Sequence, residues 1–131
     1  MIEPLTQELV FPKKWKFLFP GLRTRYNINS CLLSRQYSEV RSLWQNENID
    51  IDKIECISKI VKDCACWKNH FFIPDDNFRV LIADYNGMMN EIFLFQSLNK
   101  AFEINSESYE IAINSIQRYA DFIRFVLQFS S

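Results

Sequence analysis

The chain is poor in glycine, proline and histidine, with two, four and one among 131 residues. Two glycines cannot build a loop that wraps phosphates, and no G-x-G-x-x-G or P-loop pattern occurs, which excludes nucleotide binding of the usual types. The single imidazole, His70, has Asp75 and Asp76 close by in sequence for general-base work. There is no nucleophile motif such as G-x-S-x-G to accompany it. No run approaches the roughly 18–20 apolar residues of a membrane span. Excess charge of one sign is missing too: a net charge of −1 gives no global push toward nucleic acid or a membrane surface. The opening residues, MIEPLTQELV, lack the charged-then-apolar order of a secretory signal. Cys31, Cys56, Cys64 and Cys66 are therefore expected to be reduced thiols of a cytoplasmic protein.

Apolar residues, in contrast, are plentiful. They make up 48% of the chain and include twelve phenylalanines, enough for a single domain with a real core rather than extended disorder. Low glycine with long periodic stretches favours helices over a turn-rich sandwich. The heavy use of isoleucine, asparagine, phenylalanine and lysine matches an AT-rich coding sequence, as in a horizontally acquired bacterial gene.

The clearest periodicity lies in residues 84–104, DYNGMMNEIFLFQSLNKAFEI. After the Asn86-Gly87 turn signal, Met88, Ile92, Phe95, Leu98 and Phe102 recur in steps of three and four, the spacing of one helix face. Phe93 and Leu94 widen that face, so the helix is expected to be largely buried. This stretch resembles the acyl carrier proteins, whose signature is Asp-Ser-Leu opening a helix, spaced aliphatics and a closing Phe-Gly-Ile. Aligned on Ala101-Phe102-Glu103-Ile104, the segment places Ile92, Leu94, Leu98 and Phe102 at the family's apolar positions. Ile113-Asn114-Ser115-Ile116 and then Tyr119-Ala120-Asp121-Phe122-Ile123 look like its lead-in and last helix. The resemblance covers roughly the last third of the chain, about residues 84–127, and implies a carrier-like bundle. The family's phosphopantetheine serine falls on Met88 and the preceding aspartate on Gly87. A thioether cannot form the phosphodiester, so the resemblance implies the fold without the chemistry. The family's acidic recognition helix corresponds to this one, but Gln96, Asn99 and Lys100 replace much of that acidity.

Elsewhere, Pro4, Pro12, Pro20 and Gly21 break residues 1–30 into short irregular pieces. Lys13, Lys14, Lys16, Arg23 and Arg25 alternate there with Trp15, Phe17 and Phe19. Such an arm can pack its rings on the helices with its lysines in water. It can also grip phosphates and bases, or anchor at lipid headgroups. Residues 32–46 read as a helix capped by Ser30, and residues 50–67 as another with a stripe of Ile54, Ile57, Val61 and Cys64. Phe78-Arg79-Val80-Leu81-Ile82-Ala83 reads as a strand or a short helix capped by Asp75-Asp76, with the helix favoured. Residues 109–113 read as one helical turn. A final helix capped by Ser115 is expected to run to about Gln128, with Phe122, Phe125 and Phe129 forming a second apolar edge.

Cys64, Cys66 and His70, with Cys56 upstream, are the right ligand types for zinc. Cys64 and Cys66 point about 200° apart on one helix, however, so buried thiols are expected and no metal or cofactor is assigned. Cys66 with His70 is a conceivable nucleophile–base couple, but such dyads are rarely built from local spacing. Asp75, Asp76, Asp84 and Glu91 cluster around the start of the helix expected within residues 84–104. They serve either as caps and solvated charges or as a docking surface for a basic partner.

The expectation is a mainly α, carrier-protein-like helical bundle in one domain, residues 1–131, with an irregular basic and aromatic arm over 1–30 and the bundle over 31–131. The expected function is non-catalytic protein binding, most concretely an immunity or antitoxin-type protein that neutralises a bacterial toxin domain through Asp75, Asp76, Asp84 and Glu91. The alternatives are a silent carrier-like docking module for a biosynthetic enzyme, or a nucleic-acid or membrane adaptor acting through Lys13, Lys14, Trp15, Lys16, Arg23 and Arg25.

Overall fold

The structure, a computed structural model, describes residues 2–6, 20–83, 90–104 and 106–129. Its elements are α1 (Pro20–Ser34), α2 (Tyr37–Gln45), α3 (Ile51–Ala65), α4 (Phe78–Ile82), α5 (Asn90–Phe102), α6 (Ser106–Ile113) and α7 (Tyr119–Phe129). The fold is thus a helical bundle, and no strand forms among the described residues. The single pairing outside the helices is an isolated antiparallel bridge between Asn77 and Arg118. No helix among the described residues is long and apolar enough to cross a membrane.

The chain turns helical earlier than its prolines suggest. Pro20 sits at the first position of α1, where its missing N–H costs nothing and its fixed φ suits a helix. Thr24, Ile28 and Leu32, four residues apart, form the buried stripe of α1. Ser30 therefore lies inside a helix rather than capping one. The helix expected over 32–46 is split at Arg35 and Gln36, the latter extended at φ −90°, ψ 133°. Neither residue is a helix breaker. The split coincides with Arg35 turning inward to a buried partner.

In α3 local signals and packing agree. Asp50 caps the N-terminus by accepting from the Asp52 N–H at 3.0 Å. Ile54, Ile57, Ser58, Val61 and Ala65 face inward. The helix stops at Cys66, which takes the left-handed conformation at φ 59° usually given to glycine. Helix α3 packs along α5 and against α4. The segment expected as strand or short helix is the short helix α4. Its cap is Asn77, whose side chain accepts from the Val80 N–H at 3.2 Å, and not Asp75 or Asp76.

In α5 the buried residues are Asn90, Leu94 and Leu98, so the inward stripe is displaced from the expected one. Ile92 is 52% and Phe93 42% exposed. Met88 and the expected start of this helix lie outside the described residues. The single turn expected at 109–113 is the longer helix α6. Helix α7 begins at Tyr119. Ser115 does not cap it, and its hydroxyl donates back to the Ala112 carbonyl at 2.9 Å. The first N–H groups of α7 are instead taken by backbone, Tyr119 N–H donating to Asp76 O at 2.9 Å and Ala120 N–H to Pro74 O at 3.1 Å.

Tyr119 sits at the centre of the core, fully buried. Its ring lies 5.8 Å from Trp44, 5.3 Å from Phe72 and 6.0 Å from Phe122, centroid to centroid. Its hydroxyl shares a 2.8 Å hydrogen bond with Ser58, and burial holds its pKa far above the usual phenol value.

Candidate binding cleft

The four carboxylates read from sequence as one acidic surface do not share one. Asp76 is buried, and both its oxygens are 2.7 Å from the Arg35 guanidinium. It also accepts from the Leu5 N–H at 2.8 Å and the Ile73 N–H at 2.9 Å. The remaining Arg35 hydrogens reach the carbonyls of Phe71 and Glu3. Every strong partner of this carboxylate is internal, so Asp76 is withdrawn from any docking surface. It joins residues 2–6, the α1–α2 corner and the turn before α4.

Asp75 stays near the surface, where Arg118 Nε donates to it at 2.6 Å. The same arginine holds both Glu47 oxygens, at 2.8 and 3.0 Å, and Arg124 reaches Glu47 Oε1 at 2.9 Å. These bonds, that from Arg118 first, hold the Glu47 carboxyl below its ordinary pKa against the opposing effect of burial. The Arg118 pKa is raised in turn, chiefly by Glu47 and then by Asp75. Asp75 thus belongs to a mixed-charge network and not to an acidic patch. Asp84 lies outside the described residues. Glu91 is half-buried in the first turn of α5.

Of the basic arm, Lys13, Lys14, Trp15 and Lys16 lie outside the described residues, and Arg23 lies in α1. Arg25 is diverted to a structural task. It donates to the carbonyls of Ala65 and Cys66 and lies 5.1 Å from the centre of the Trp67 ring. A cation at these carbonyls offsets the negative end of α3, which explains how a non-glycine residue is held in the left-handed cap.

His70 pairs with neither Asp75 nor Asp76. Its Nε2 lies 2.6 Å from Glu55 Oε2, and the Tyr37 hydroxyl donates to the other Glu55 oxygen at 2.6 Å. That bond is the main cause raising the Tyr37 pKa. The Cys64 thiol lies 3.5 Å from the Ser97 hydroxyl, and burial pushes its pKa up. Among the described residues no three His, Cys, Asp or Glu side chains converge as a metal site would require.

The α5–α6 face is built differently. A cleft of about 380 Å³ opens there, with Ile92, Phe95, Tyr109 and Ile113 as its apolar lining and Glu91 and Glu110 as its acidic members. The Phe95 and Tyr109 rings lie 4.9 Å apart at 46°. The row continues through Phe125, 6.1 Å from Tyr109, to Phe129, 5.1 Å further on and 40% exposed. The apolar edge read in the last helix is therefore mostly covered, and only its tip is open. Tyr109 is 4% exposed, yet its hydroxyl has no hydrogen-bond partner among the described residues. Burial, reinforced by the charge of Glu91, raises its pKa, so the phenol stays neutral. At the far end of the cleft Arg79 is committed to the Ile113 carbonyl and the Asn114 side chain.

No family model, curated protein or solved structure matches the chain. Sequence reasoning had singled out only Glu91 among the cleft's polar members. Tyr109 and Glu110 were read as part of a single turn, and nothing in the local pattern joins them to α5.

Proposed function

We propose that the chain is a non-catalytic protein-binding module of the immunity or antitoxin kind, which neutralises a toxin domain by laying its α5–α6 face on a basic surface of that domain. The observation that carries this reading is the coincidence of exposed apolar side chains, Ile92 and Phe93, with the acidic cleft beside them. Apolar contact supplies affinity, and acidic groups select and steer a basic partner. The polar side chains best equipped for chemistry serve structure instead. Asp76 is held by Arg35, His70 by Glu55, and Glu47 and Asp75 by Arg118.

The test is capture of a partner by the tagged chain from its host, followed by co-expression. The wild-type chain is expected to retain one toxin-like polypeptide and to relieve its growth inhibition. I92D/F93S, changed only at exposed positions, is expected to fold normally and do neither. Full protection by that variant would refute the assignment of the face.

A further inference from the structure

We infer that the α5–α6 cleft is a socket for a single basic side chain, lysine or arginine, projecting from the partner protein. The inference rests on the binding-module reading and adds what the cleft itself selects. Its volume, about 380 Å³, falls in the range of about 300–1,000 Å³ usual for pockets that enclose a ligand group. The lining offers Ile92 and Ile113 to an aliphatic stem, and the Phe95 and Tyr109 rings with two carboxylates to a cationic head. Aromatic faces and carboxylates together are the surroundings in which an ammonium or guanidinium is stabilised on leaving water.

Charge complementarity fixes the sign of the occupant. The ionisable groups lining the cleft are Glu91, Glu110 and Tyr109, and the phenol is neutral. Arg79, the cation nearby, bonds to the Ile113 carbonyl and the Asn114 side chain rather than to a carboxylate, so against its single positive charge the lining sets two negative ones, Glu91 and Glu110. The Tyr109 hydroxyl is a second and independent sign that the site is incomplete. It is buried, lacks a partner among the described residues, and belongs to a residue that lines the cleft. A neutral phenol oxygen can accept from an incoming N–H, which a carbon anchor cannot provide. One buried cationic anchor amid apolar contacts is also how tight protein interfaces concentrate their affinity.

The experiment is an NMR titration of the full chain with the blocked amino acids Nα-acetyl-lysine methylamide and Nα-acetyl-arginine methylamide, with Nα-acetyl-norleucine methylamide as the uncharged isostere. The basic probes are expected to shift the amides of residues 91–95 and 109–114 and to bind at least about fivefold more tightly than norleucine. E91Q/E110Q should abolish that preference, and raising the salt concentration should weaken it. Y109F should lower affinity for the basic probes while leaving norleucine unchanged. Equal binding of all three probes would make the cleft a generic apolar groove and overturn the inference. Absence of any shift at these residues would overturn it as well. Self-association of the chain that E91Q/E110Q abolishes would assign the cleft to a second copy, with the same consequence. If the probes fail while I92D/F93S still loses the toxin-like partner, the socket falls and the binding face stands. If I92D/F93S protects fully, the face falls first.

Discussion

Two regions of this molecule treat polar groups in opposite ways. Around Asp76, four donors converge on one carboxylate and every charge is answered inside the protein. On the α5–α6 face, two carboxylates and two aromatic rings line a cleft, and the buried hydroxyl of one of those rings has no partner among the described residues. The first arrangement fixes a fold, because removing any member strands a buried polar atom. The second leaves interaction capacity unused by the fold. Residues that look alike in sequence, Asp76 and Glu91, therefore have unrelated tasks.

The comparison is broken most violently at Asp76. D76N leaves the Arg35 guanidinium buried without its counter-charge, and urea denaturation should show a loss of about 3–5 kcal/mol. Replacing both partners by apolar residues, R35M/D76L, often restores stability in other buried pairs. Here it should not, because the N–H groups of Leu5 and Ile73 also lose their acceptor. Recovery to near wild type would show that the backbone bonds matter less than the charge pair. In the core, S58A leaves the Tyr119 hydroxyl without its partner, at a cost of about 1–3 kcal/mol by thermal or chemical unfolding.

A smaller effect is expected at Glu47, whose folded pKa lies below its ordinary value of 4.5. A depressed acid pKa stabilises the fold above that ordinary value, and the stabilisation is lost as pH falls through the folded pKa. Stability measured below pH 4.5 should therefore fall less steeply in E47Q than in wild type, while E47Q is the weaker protein at neutral pH. The smallest changes belong to the cleft. Y109F and I92D should each move stability by no more than about 0.5 kcal/mol, and Y109F should not destabilise, since it removes a hydroxyl with nothing to bond. A large loss in either would place the cleft among the structural regions and erase the contrast.

The helical class and the cores of several elements were legible because they depend on short-range spacing. In α3 the Ile54, Ile57 and Val61 stripe follows directly from the pattern. Helix α5 shows where pattern fails. Two overlapping apolar series run through residues 90–102, and only packing against α3 selects Leu94 and Leu98 over Ile92 and Phe93. The corner at Arg35 was illegible because its cause, Asp76, lies 41 residues away. The expected acidic patch failed for a related reason. Neighbours in a turn can face opposite ways, so Asp75 meets Arg118 at the surface while Asp76 meets Arg35 within. Glu91 keeps its place in the candidate site, and its companions there come from α6.

The bonds made by residues 74–76 also gather remote parts of the chain at one short turn. Asp76 holds Leu5 and Arg35 from 71 and 41 residues away, its carbonyl and that of Pro74 take the first N–H groups of α7, and Asp75 shares Arg118 with Glu47. Contacts spanning more than 40 residues close slowly because of the chain entropy that they consume. The turn is therefore expected to be among the last parts of the fold to become ordered, and α7 docks on it as a latch.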